Sequence, residues 1–96
     1  MSLGKLVLLK AIASGKKWLF ELNESYLNAG FGQRYTFKSR RYSVRYSMAC
    51  GIQLRRLCGL EGGVPLARRV KEVGPRGKLQ WSYYLTEEGK QALKEN

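Results

Sequence analysis

Apolar residues change their period several times along the chain, and each period assigns an element. Leu3 to Ala13 holds good helix formers without a β-branched run, with Lys5 and Lys10 its only charges, and predicts a first helix ending near Gly15. Its apolar residues, Leu3, Leu6, Val7, Leu8, Leu9, Ala11 and Ile12, cover more than the single stripe a surface helix turns toward one core. Either a small domain wraps this helix on several sides, or part of its surface meets a second subunit. From Trp18 onward, Leu19, Leu22, Tyr26 and Ala29 recur at helical spacing and Gly30 supplies a stop, which predicts a second helix. Its start is open: Asn23 would instead cap a shorter helix beginning at Glu24, with Trp18 to Phe20 extended.

The middle of the chain is less regular. Phe31 to Lys38 sets Arg34, Thr36 and Lys38 around Tyr35 and Phe37, the pattern of a loop or short strand. Ser39 to Leu60 is the longest helical candidate, with Val44, Met48, Ile52 and the pair Arg55/Arg56 about four apart, although Gly51 costs about 1 kcal/mol relative to Ala. Ser39 or Ser43 would cap that helix, and Gly59 to Gly63 would end it. After Pro65, Leu66 to Val73 and Leu79 to Leu85 flank a Gly74-Pro75-Arg76-Gly77 turn and read as a β-hairpin. Alternation sends Leu79, Trp81, Tyr83 and Leu85 to a buried face and Gln80, Ser82 and Tyr84 to the other, so Trp81 is expected in the core. Thr86 caps a last helix with Glu87 and Glu88 in its first turn and Lys90 and Lys94 near its end, matching the helix dipole at both ends.

Charge changes the picture. The chain has 96 residues, enough for one domain spanning residues 1–96, and carries 18 Lys+Arg against 7 Asp+Glu with no His, a formal net charge of +11. Between Glu24 and Glu61 there is no acid at all, while Arg34, Lys38, Arg40, Arg41, Arg45, Arg55 and Arg56 fall there. A second basic block, Arg68, Arg69, Lys71, Arg76 and Lys78, is interrupted only by Glu72. One such run is usually a solvated face; two of them point to a polyanionic partner. The absence of His removes His-dependent triads and His-ligated zinc, and Glu21/Glu24 or Glu87/Glu88 read as helix-surface charges, so no enzyme or cofactor is expected, and no metal site, the alternative being a metal bound between subunits through the cysteines.

Two further features bear on compartment. The run Leu6 to Leu9 ends at Lys10, too short for a signal sequence or a membrane span, so a cytoplasmic protein without membrane contact is expected. Cys50 and Cys58 would sit about 12 Å apart along one helix, which excludes a bridge between them inside it. They are expected as small buried apolar residues in a reducing cytoplasm, the alternative being an intersubunit disulfide.

Helix, helix, long helix, hairpin, helix is an α+β order, and Trp81 to Leu93, WSYYLTEEGKQAL, resembles the end of the wing and the start of the C-terminal helix in winged helix-turn-helix transcriptional regulators of the multiple-antibiotic-resistance and arsenic-repressor types. Leu54 to Leu60, LRRLCGL, is similar to the end of their recognition helix. The resemblance covers residues 44–93; small basic winged-helix proteins of archaea and of their viruses and plasmids are also similar. The chain departs from the family's tight turn between second and third helices, since Gly30 to Ser39 is long and aromatic.

The resemblance implies three helices, a hairpin wing and a terminal helix. It places a recognition helix at about residues 40–58 in the major groove of double-stranded DNA, with Arg40, Arg41, Ser43, Arg45 and Tyr46 at its N-terminal part contacting bases or phosphates. Arg68, Arg69 and Lys71 on the wing strands and Arg76 and Lys78 at its tip would lie along the backbone or in the minor groove. Arg55 and Arg56 would lie too far along the helix to be favoured contacts, and Lys16 and Lys17 are optional phosphate contacts. A homodimer is expected through the first and last helices. Two other readings stand beside this one: an RNA or single-strand binder, because Arg34 to Lys38, Tyr42 and Tyr46 interleave rings with charge, and an adaptor for an acidic protein.

Overall fold

The computed structural model describes residues 1–31, 35–38, 43–46 and 48–95, the two short stretches as backbone. Its order is α1 (Leu3–Ala13), α2 (Leu19–Asn28), β1 (Tyr35–Lys38), β2 (Ser43–Tyr46), α3 (Met48–Leu57), β3 (Ala67–Val73), β4 (Leu79–Leu85) and α4 (Glu87–Lys94). This is a mixed α+β arrangement in which β1 and β2 form one antiparallel ribbon and β3 and β4 another.

Helix ends follow local chemistry. Ser2 caps α1 by accepting from the Lys5 amide at 3.3 Å. At α2 the extended residue is Trp18, and the Glu21 carboxylate accepts from the backbone N–H groups of Lys17 and Trp18 at 3.3 and 3.2 Å. The shorter helix capped by Asn23 is therefore not formed; Asn23 lies buried within α2. Gly59 follows α3 with φ +72°, a left-handed conformation that stops the helix without a Cβ penalty. Thr86 caps α4 as expected, its Oγ accepting from the Gly89 amide at 3.0 Å and donating to the Pro65 carbonyl at 2.8 Å.

The long helix expected over residues 39–60 is not what forms. α3 begins at Met48, and Ser43 to Tyr46 is strand β2, paired with β1 in the register Tyr35↔Tyr46, Thr36↔Arg45, Phe37↔Val44 and Lys38↔Ser43. Ser43 therefore caps no helix, and Ser39 lies outside the described residues. Two physical reasons favour the strand. Val44 and Tyr46 are β-branched and aromatic residues flanked by polar ones, with a matching aromatic partner in Tyr35 and Phe37. A helix starting near Ser39 would also gather Arg40, Arg41 and Arg45 at its positive dipole end.

The core is built around α1. Leu8, Leu9, Leu22, Leu27, Leu54 and Leu57 are essentially removed from water, with Tyr26, Cys50, Ala67 and Tyr83 buried beside them. Full burial of each leucine contributes roughly 1.5–3 kcal/mol. α1 packs against α2, α3, α4 and β4, so its broad apolar surface is covered within one chain, and only Leu3, 68% exposed, stands well out of it. The surface that suggested a homodimer through α1 is thereby accounted for internally. A third segment completes the β3–β4 sheet: the Tyr83 amide donates to the Lys17 carbonyl at 2.9 Å, and Trp18 bridges Ser82 in antiparallel fashion. Ser82 is fully buried, its hydroxyl donating to the Val70 carbonyl at 3.1 Å. No helix among the described residues is long and apolar enough to cross a membrane.

Candidate nucleic-acid interface

The hairpin β3–β4 is the best defined basic surface. Its turn is closed by the Gly74 amide donating to the Lys78 carbonyl at 2.7 Å, which holds Arg76 and Lys78 out at the tip, both exposed. Ala67 and Tyr83 are buried at the other end of the hairpin, which roots it in the core. Arg68, Arg69 and Lys71 thus project from a strand whose base is fixed and whose far end is open to solvent.

Register determines what lies beneath those cations. Lys71 is the cross-strand partner of Trp81 and Arg68 of Tyr84, while Arg69 is diagonal to Trp81. The Arg69 guanidinium sits 4.1 Å and the Lys71 ammonium 4.5 Å from the Trp81 ring centre, and the Arg68 guanidinium lies 4.9 Å from that of Tyr84. Such contacts are worth about 0.5–1 kcal/mol each at exposed sites. They also restrict long side chains that would otherwise sample many rotamers, so less freedom remains to be lost on binding. Trp81 is half-buried and packs against the core, so it is both the core residue expected and a support for two cations. The alternating face is only partly buried: Tyr83 is within the core and Leu85 half-buried, but Leu79 is 67% exposed because it lies beyond the helices toward the turn.

The acid of the hairpin is occupied. Glu72 accepts from the Tyr84 hydroxyl at 2.8 Å and pairs with the Lys17 ammonium at 3.5 Å. The Tyr84 hydroxyl bond first, and then Ser82 and the Lys17 ammonium, hold the Glu72 carboxyl below its ordinary range, outweighing a desolvation that works the other way. At Lys17 partial desolvation works against the charge, but Tyr84 and Glu72 outweigh it and its pKa is raised. Lys17 is thus engaged within the fold, its ammonium also 4.9 Å from the Trp18 ring centre. Lys16 donates to the Ser25 hydroxyl at 3.0 Å.

The residues expected on a recognition helix are distributed differently. Ser43, Arg45 and Tyr46 belong to β2, and Arg40 and Arg41 lie outside the described residues. α3 presents Met48, 63% exposed, and Ile52, 44% exposed, followed by Arg55 and Arg56, also exposed. With the helix starting at Met48, Arg55 lies about two turns from its start rather than three or more, although Arg56 is paired through Nε with Glu61 at 3.1 Å. The structure therefore brings Arg68, Arg69, Lys71, Arg76 and Lys78 together on one hairpin and separates them from the Ser43–Tyr46 group in the ribbon. What the sequence reading missed was the ring support at Trp81 and Tyr84, visible only once the hairpin register is known.

The cysteines add no reactive centre. Burial pushes the Cys50 thiol up to about 12, and burial raises that of Cys58 against the opposing charge of Arg69. Both are free, Cys50 buried and Cys58 half-buried. Among the described residues no three metal-ligating side chains converge. No family model, curated protein or solved structure matches the chain.

Proposed function

We propose that this chain is a winged helix-turn-helix domain that binds double-stranded DNA and regulates transcription. The observation that carries the reading is the hairpin β3–β4: its strand cations Arg68, Arg69 and Lys71 are braced on rings, while its acid, Glu72, is engaged by Lys17 and Tyr84. The Arg69 and Lys71 side of the hairpin and its tip are thus left without local compensation, which suits a row of phosphates, while Arg68 lies on the opposite face with Tyr84 and Glu72. The strand-like segment at Lys17–Trp18 supports the winged topology, since it places a sheet strand between α1 and α2 and orders the chain helix, strand, helix, ribbon, helix, strand, strand, helix. The hairpin is the wing, and α3 with the β1–β2 ribbon that leads into it is the part that faces the major groove. Trp81 and Tyr84 already carry cations over their rings, which makes the wing a poor platform for stacking unpaired bases and favours duplex over single strand.

Fluorescence anisotropy of a labelled duplex across a salt series, with single-stranded DNA and structured RNA as competitors, tests the proposal. Duplex binding should weaken steeply with salt and resist both competitors. Arg76→Ala and Lys78→Ala should each flatten the log–log salt slope by up to about 0.9, one phosphate contact apiece. Preference for either competitor would transfer the function to single strands or RNA, and absence of nucleic-acid binding would leave the acidic-protein adaptor.

A further inference from the structure

We infer that the β1–β2 ribbon, rather than the face of α3, reads the bases, with Arg45 and Thr36 at its centre; the inference rests on the duplex-binding reading above. It starts from a deficit on α3. A helix entering the major groove reads base edges with its N-terminal residues, which need donors or acceptors. From Met48 through Ile52 every residue of α3 is apolar or glycine, and the exposed ones are Met48 and Ile52. Gln53 is half-buried beside the Tyr26 hydroxyl, with its Oε1 shut away from water. Two turns pass before Arg55 supplies a group able to choose a base.

The donors missing from α3 stand in the ribbon that leads into it. Register pairs Thr36 with Arg45 and Lys38 with Ser43, and these polar positions alternate with Tyr35↔Tyr46 and Phe37↔Val44. The pleat gives alternate pairs to opposite faces, so one row of the ribbon is built from hydroxyl and cationic residue types and the other from rings and valine. β2 lies against α2, and residue 47 alone separates it from α3, so the ribbon is anchored at the end of α3 that would approach the groove. A two-stranded ribbon, its strands about 4.8 Å apart, fits the roughly 12 Å major groove and not the roughly 6 Å minor groove. Four residues span roughly 10 Å between first and last, about three base-pair steps. The partner is thus a duplex with a short preferred core, and the chemistry at its centre is an arginine fork, suited to guanine O6 and N7.

The test uses the full chain and a duplex recovered from a random-core library, comparing its affinity with that of a scrambled duplex at one salt concentration. The wild type should discriminate between them. Arg45→Ala should cut that discrimination about 5- to 150-fold, the range for one bidentate base contact. Arg45→Lys keeps the charge but loses the fork, so it should bind scrambled duplex within about twofold of wild type and still lose discrimination. Melting curves superimposable on wild type confirm that neither variant has lost the fold. Retained discrimination in both Arg45 variants, or its loss in Arg55→Ala, would overturn the ribbon assignment while leaving duplex binding intact. A library yielding no preferred duplex would overturn it in the same way. Failure of the wild type to bind duplex at all would remove the underlying reading with it.

Discussion

Gly89→Ala and Gly51→Ala make the same chemical change in two helices, and the structure gives them opposite signs. Each replaces glycine by the best helix former, a gain of about 1 kcal/mol if nothing else changes. At Gly51 nothing lies within 4 Å of the added methyl, so the gain should be realised. At Gly89 the methyl would collide with the Leu66 carbonyl oxygen and fall 2.9 Å from its carbon, both backbone atoms. Leu66 has little freedom to retreat: its carbonyl accepts from the Thr86 amide at 3.2 Å and its own amide donates to the Leu57 carbonyl at 2.8 Å. Relieving the overlap costs about 1–3 kcal/mol as overpacking. Loosening one or two of those bonds, or the cap from Thr86 to Gly89, adds about 0.5–1.5 kcal/mol each. After the helix gain is subtracted, Gly89→Ala should destabilise by about 0.5–5 kcal/mol. For a domain of this size each kcal/mol moves Tm by about 4–8 °C, so far-UV circular dichroism melts should place Gly51→Ala above wild type and Gly89→Ala at least about 2 °C below it. A Gly89→Ala protein melting at or above wild type would refute the close seating of α4 on Leu66.

Other consequences are open to direct measurement. Trp81→Leu keeps much of the apolar packing but removes the ring under Arg69 and Lys71, and urea unfolding should show a loss of about 1–2 kcal/mol, whereas Leu79→Ala at an exposed position should stay within about 0.5 kcal/mol; equal effects would count against the braced wing. Glu72 has a lowered folded pKa, so its contribution is present above the unfolded value near 4.5 and is lost as pH falls through the folded one. Glu72→Gln should therefore flatten the acid limb of the stability curve, and superimposable acid limbs would show that the Lys17–Glu72–Tyr84 group does not contribute. Mass spectrometry after alkylation at mildly alkaline pH should find Cys50 protected in the native protein and labelled only when unfolded, given its burial and raised pKa; labelling of Cys50 at the denatured rate would contradict its place in the core.

Much of this fold is local enough to be read from residues alone. α1 and α2, the β3–β4 hairpin and the Thr86 cap each depend on neighbours within one or two turns, and only the start of α2 stays open, between Trp18 and Asn23. α3 is different. Val44, Met48 and Ile52 satisfy a spacing of four, while Val44 and Tyr46 satisfy a spacing of two, and only a partner strand at Tyr35 to Lys38 decides between them. That pairing is tertiary information. The basic residues of the wing were equally legible, since charge and alternation are sequence properties. Their bracing by Trp81 and Tyr84, and the diversion of Glu72 to Lys17, depend on register and on a segment from the other end of the chain.

The pairing of Lys17 and Trp18 with Ser82 and Tyr83 also has a kinetic meaning. It joins residues far apart in sequence, so the chain must close a long loop before these bonds form, an entropic cost that grows only logarithmically with loop length but is met early or not at all. During synthesis α1 and α2 emerge well before the strand that completes the sheet beside them, and that edge waits for its partner. Once formed, the seam makes the first and last thirds of the molecule come apart together, and the Tyr83 amide becomes a natural hydrogen-exchange reporter of global opening.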